Sequence, residues 1–172
     1  VLVGDCEGKP AYELSVQRLA AHVAAHCSTT VADFVGNSIR RAFAVGVGNP
    51  HCVLMLHDGV LPPPDSIVDQ LGSTVCSWTE AFPEGANVEF VAQKTMVEDV
   101  LTCRMRVYER GAGRTRACGS GACATGVAVA IDTARERGTS DGSVVVDVVM
   151  DGGALEIETE SAQPGSGARV RM

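Results

Sequence analysis

The 172-residue chain predicts an α+β domain, a mostly antiparallel sheet wrapped around one central apolar helix. Three observations carry this. Cys118 to Arg137 contains "VAVAIDTA", apolar on nearly every side, and a helix apolar all round is a buried helix. Val100 to Glu109 alternates, with Leu101, Cys103, Met105 and Val107 on one face and Arg104, Arg106 and Tyr108 on the other, the two-residue period of a strand. Ser143 to Met150 and Ala154 to Glu160 read as strands joined by "DGG", a hairpin signal.

The remaining elements follow in order. Leu14 to Cys27 spaces Leu14, Leu19, Val23 and Cys27 near helical period, with Gln17 and Arg18 off that face, and Val and His weaken the helix. Arg41 to Leu56 has two apolar runs flanking "GNPH", which reads as strand, turn, strand. "LPPPD" (Leu61 to Asp65) is a loop, since proline donates no backbone hydrogen bond. Ser66 to Leu71 reads as a short helix with Asp65 as its cap. Ala86 to Gln93 alternates enough for a strand. The long helix ends at Gly138, a good C-terminal cap. "SAQPGSGARVRM" runs from a loop into a last strand. There is no internal repeat and no low-complexity tract.

Hydrophobic residues make up 45% of the chain and charged residues 20%, which is globular usage. Aromatics are only 4%, so Val, Ala, Leu and Ile must build the core. A net charge of -7 argues against a nucleic-acid or anionic-membrane partner and leaves room for a local basic pocket. The seven cysteines are scattered, with no CxxC pair and no zinc-ligand spacing. No secretory signal opens the chain and no stretch is long enough to span a bilayer. The expected setting is a reducing cytoplasm with free thiols. The chain begins at Val1 rather than Met, so a processed or partial chain is expected.

The chemistry concentrates in "ERGAGRTRACGSGACATG", Glu109 to Gly126. Glycine costs a helix about 1 kcal/mol relative to alanine, so glycines at a helix start imply close approach of a backbone or a ligand. A helix start offers unpaired N–H groups and partial positive charge, which favour a bound carboxylate and lower the pKa of a thiol. Cys118 there reads either as an acid/base thiol beside a bound carboxylate or as a small apolar filler in a tight turn. Other residues stand out less when taken singly. Glu109 and Arg110 read as a charge pair at a strand end. Asn49 and His51 sit at the "GNPH" junction, and Asn before Pro is a common turn residue. Asn87 opens a strand.

"VGNPHCV" (Val47 to Val53), "FPEGANVEFV" (Phe82 to Val91) and the Cys118 segment occur in that order. Together they resemble diaminopimelate epimerase, the pyridoxal-independent enzyme that interconverts LL- and meso-diaminopimelate. The resemblance covers Val45 to Gly126, and "DGGALEIE" extends it towards the end. Residues 1–44 match poorly. The resemblance implies two similar domains, each a sheet around a central helix, with one cysteine at the mouth of each helix. It makes residues 1–172 the second half, lacking an N-terminal domain with a "CGNG"-type motif. It makes Cys118 one of two acid/base thiols acting on opposite faces of the α-carbon. Gly119 and Ser120 would offer N–H groups to the carboxylate at the reacting centre. Asn49, Asn87 and Arg110 would hold the distal end of the substrate, and His51 and Glu109 would assist proton movement. No cofactor and no metal are implied, and the partner is a small amino-acid substrate; a homodimer stays open. Arg114 departs from the family, where an acidic residue is usual, and puts the local hydrogen bonding in question. A proline racemase-like or phenazine-pathway-like isomerase of the same fold, or a non-catalytic carboxylate-binding fragment, are the alternatives.

Overall fold

A computed structural model describes residues 11–97, 100–139, 143–160 and 169–172. The elements run β1 (Ala11–Leu14), α1 (Val16–His26), α2 (Thr29–Ser38), β2 (Ile39–Gly46), β3 (Pro50–Leu56), α3 (Asp65–Cys76), β4 (Asn87–Val97), β5 (Val100–Glu109), β6 (Gly113–Thr115), α4 (Gly119–Arg137), β7 (Val144–Met150), β8 (Gly153–Glu160) and β9 (Arg169–Arg171). The strands form one sheet in the order β1-β2-β3-β4-β5-β7-β8-β9, with β6 paired to β5. Among the described residues only β3/β4 and β5/β7 pair in parallel. Each of those parallel steps spans a helix, α3 or α4, because parallel neighbours need a crossover rather than a hairpin.

Helix α4 packs against β2, β3, β4, β5, β7, β8 and β9. Every residue from Gly121 to Ala134 is buried. Its side of the sheet contributes Phe43, Val53, Val91, Met105 and Val148 to one core. Two helix glycines earn their place by close approach. A Cβ on Gly126 would fall 2.5 Å from Ile157 Cγ2 on β8, and one on Gly121 would fall 2.8 Å from Glu89 Oε1 on β4. At the far end, Gly138 caps α4 in the left-handed conformation with φ 66°, as its position in the sequence predicts.

The opposite face of the sheet carries a second core. Leu19 and Val23 of α1, Val31 and Val35 of α2, and Leu71 and Val75 of α3 pack there on Ala44, Cys52, Leu54, Val88 and Phe90. Strand β3 is buried on both faces, which is why "HCVLML" is a continuous apolar run instead of an alternating one.

Three differences from the sequence reading have plain causes. Helix α2 was not anticipated: Val31 and Val35 give it a buried face, but β-branched residues and Gly36 dilute its local preference. Helix α3 runs to Cys76 and its N-cap is Pro64. Asp65 does not cap it, since its carboxylate is held instead by Arg106 and Arg114. Strand β4 continues to Val97 through a bulge between Ala92 and Thr95, where Gln93 takes φ 52°. In the bulge, Lys94 reaches Asp132 of α4 at 3.0 Å, a redirection typical of bulges. The predicted loop before β9 and the opening segment, including Cys6, lie outside the described residues. Among the described residues no helix is long and apolar enough to cross a membrane.

Candidate active site

The parallel strands β3 and β4 begin at the edge of the sheet where the antiparallel β5 ends, and α4 starts there after β6. Chain direction alone therefore gathers His51, Asn87 and Glu89, Glu109 and Cys118 at one place. In register, His51 lies beside Asn87. The alternation that puts Val53 and Val91 towards α4 puts His51, Asn87 and Glu89 on the same face.

Cys118 is the N-cap of α4, and its Sγ accepts from the Gly121 N–H at 3.4 Å. Ser120 Oγ lies 3.5 Å from the sulfur. Gly119 and Ser120 are the first two helical residues, so their N–H groups have no intrahelical acceptor. The expected lowering of the thiol pKa is not what the site produces. The Cys118 thiol is pushed up, first by burial, with Glu109 and Glu89 adding to the rise and the contacts from Ser120 and Gly121 opposing it. The cap position is as the sequence predicts; the depth at which it sits reverses the sign.

His51 is fully buried. Its Nδ1 is 2.7 Å from Glu89 Oε1 and its Nε2 is 3.1 Å from Asn49 Oδ1. Glu89, also fully buried, has no hydrogen-bond partner on Oε2. Burial raises its carboxyl pKa against the pull of His51. Glu109 accepts from Thr115 Oγ1 of β6. Asn87 is buried and uses its Oδ1 to accept from the Arg110 backbone N–H at 2.9 Å. The exposed Arg110 side chain reaches the Glu84 carbonyl.

The structure thus brings Cys118, Gly119, Ser120 and Glu109 together, links Asn49 to His51, and links Asn87 to Arg110. Glu89 was missed, although an acid between Asn87 and Val91 on the core-facing side of an apolar strand is a signal the sequence carries. Arg114 turns away, to Asp65 and to Asp69 at 3.0 Å on α3. Of the other thiols, Cys52 and Cys103 are fully buried, and Cys103 is pushed up to about 12 by burial. Among the described residues no three His, Cys, Asp or Glu side chains are grouped so as to hold a metal ion.

The profile of the family described as diaminopimelate epimerase matches residues 43–172. A diaminopimelate epimerase of Pelotomaculum thermopropionicum is 43% identical over 93 residues, covering 54% of this chain and 30% of that protein. One from Heliobacterium modesticaldum is 42% identical over 124 residues, covering 72% of this chain and 38% of that protein. The chain therefore spans well under half the length of these relatives. Among solved structures, a phenazine biosynthesis protein of the PhzF family from Bacillus anthracis superposes with a TM-score of 0.52 at 11% identity, over 99% of this chain and 64% of that one. That likeness is one of fold. With three quarters of its length inside the family profile, the chain belongs to the diaminopimelate epimerase family.

Proposed function

We propose that this chain is the second half of a two-domain diaminopimelate epimerase, with α4 as the central helix of its domain and Cys118 as one of two thiols. The carrying observation is the seat of Cys118: a thiol capping a buried helix, beside the unpaired N–H groups of Gly119 and Ser120 and under the influence of two carboxyl groups. A substrate carboxylate fits those N–H groups. It would lie where the thiol can exchange a proton with the adjacent α-carbon.

Inversion without a cofactor requires one base to take the α-proton and one acid to deliver a proton to the opposite face. A lone base that returns its own proton regenerates the starting isomer. The thiol state favoured by burial at Cys118 suits the donor role at rest, and the helix start and hydroxyl of Ser120 stabilise the thiolate left behind. Glu109 sits beside the thiol to interact with the substrate ammonium. Asn49, Asn87 and Arg110 receive the distal end. The second thiol belongs to a first domain outside residues 1–172.

Residues 1–172 alone are expected to give no inversion of LL-diaminopimelate in deuterium oxide. Adding the matching first half of the enzyme restores deuterium incorporation at the α-carbon. Inversion by the isolated chain would show a second base within it and overturn the two-domain reading.

A further inference from the structure

Glu89 is the one fully buried acid on the active-site face of β4, and none of the roles above uses it. One oxygen is held by His51 at 2.7 Å and the other has no hydrogen-bond partner. An orphaned carboxyl oxygen in a core costs free energy, so its place calls for a reason. The surroundings supply one. Glu89 Oε1 lies 2.8 Å, and Cys118 Sγ 3.3 Å, from the single point that a Cβ on Gly121 would occupy. Carboxyl oxygen and sulfur are thus at most about 6 Å apart across a glycine, inside a water-poor site where charges interact strongly. Gly121 is what lets the carboxyl reach the first turn of α4.

We propose that Glu89 is a positioning residue of this site: its buried carboxylate, held by His51, keeps Cys118 in the thiol form in the unliganded chain. The proposal rests on reading Cys118 as the proton-transferring thiol. The His51 ring bridges Asn49 and Glu89, with Nε2 3.1 Å from Asn49 Oδ1 and Nδ1 2.7 Å from Glu89 Oε1. The 2.7 Å separation between Nδ1 and the carboxyl oxygen is in the range of a strong hydrogen bond. The contact with His51 opposes the rise that burial imposes on the Glu89 carboxyl, and a carboxylate at that place opposes a second negative charge on sulfur. The other groups that bear on Cys118 are Glu109 from β5, which acts in the same direction, Ser120 and the Gly121 N–H of α4, which oppose it, and the Cys123 thiol of α4, which is coupled to it by like charge.

The test is peptide-resolved alkylation of residues 1–172 with iodoacetamide across pH 6 to 10, which needs no turnover. Glu89→Gln keeps the shape and removes the charge. Cys118 should then alkylate about fivefold faster at pH 7.5, with its titration moved to lower pH, while Cys27, on the other side of the sheet, is unchanged. An unchanged or slower Cys118 in a folded Glu89→Gln chain overturns the proposal. A second measurement needs no Glu89 variant. The carbon-13 carboxyl signal of Glu89 should step as the Cys118 thiol titrates, and the step should vanish in Cys118→Ala; a flat signal in the unsubstituted chain also overturns it. Failure here leaves the deuterium-exchange assay untouched, so the two readings stand or fall separately.

Discussion

The two ends of α4 both bring a buried carboxyl group against the helix, and they treat it in opposite ways. Near the C-terminal end, Asp132 is surrounded by cations: Arg40 at 2.5 Å, Arg41 at 3.1 Å and Lys94 at 3.0 Å. Arg40 and Lys94 also bind Glu136 one turn on. At the N-terminal end, the Glu89 side chain pairs with His51, and among the described residues its Oε2 makes no hydrogen bond. One end is matched in charge by three cations, although Asp132 Oδ1 makes no hydrogen bond, and ties α4 to β2 and β4. The other is left under-paired around a thiol. The contrast teaches that this helix is anchored at its tail so that its head can carry unfavourable electrostatics: a buried thiol and buried carboxyl that a self-sufficient core would avoid.

The largest effect should separate the ends by chemistry. In the reassembled two-domain enzyme, Cys118→Ala should lower deuterium exchange at the substrate α-carbon by at least about 10³-fold. The melting temperature should hardly move, because a small side chain at a helix mouth is lost. A variant that melts far lower would make Cys118 a structural residue and erase the contrast.

Next comes the tail. Asp132→Ala leaves Arg40, Arg41 and Lys94 without their shared anion, and breaking a buried ion-pair cluster from one side costs about 3 kcal/mol. Urea denaturation should show that loss. Cys118 alkylation in the folded fraction should keep its pH profile; a shifted profile would mean that the two ends are coupled through the helix.

Alkaline stability sharpens the comparison within the thiols. Cys103 sits in the middle of the sheet, where burial raises it from 9.0 to about 12, with Lys94 opposing and Asp147 adding. Its proton is therefore bound more tightly in the folded state than in the unfolded one. Stability from this group is intact below about pH 9 and is lost as pH rises towards 12, at up to about 1.4 kcal/mol per pH unit. Cys118 and Cys123 are also raised by burial and act with the same sign. Denaturation midpoints should fall between pH 8 and 10, and Cys103→Ala should flatten the fall. An identical slope in that variant would remove Cys103 as its source.

What was legible in the sequence follows period and chain order. Helix α4, the alternating β5 and the "DGG" hairpin declare themselves because each carries a local pattern strong enough to stand without its neighbours. Strand β1 has four residues and gains its state by pairing with β2, and α2 gains its own by covering the outer face of the sheet. Neither cause is local. In the site, Cys118 was visible as a helix cap, but burial depth, which reverses the shift of its thiol, is a property of the packed structure. Glu89 was visible in principle. Its neighbours Val88, Phe90 and Val91 are apolar on both faces of β4, so the period alone does not say which core the acid enters, and the packing of α4 decides it.

The smallest effect concerns Arg114, the position at which the sequence resemblance leads to the expectation of an acidic residue. The position lies on β6, close in sequence to the cap of α4, yet its guanidinium points to α3, binding Asp65 and Asp69 in an exposed cluster. Solvent-exposed ion pairs are screened and cost side-chain freedom to form. Arg114→Ala should therefore leave the denaturation midpoint without a resolvable change. It should also leave the Cys118 alkylation profile as it was, because the charge it removes faces the opposite side of the sheet from the thiol. A raised Cys118 pKa in this variant would place Arg114 in the electrostatics of the helix head. The departure from the family would then have to be counted among the groups that set the thiol, beside Glu89 and Glu109.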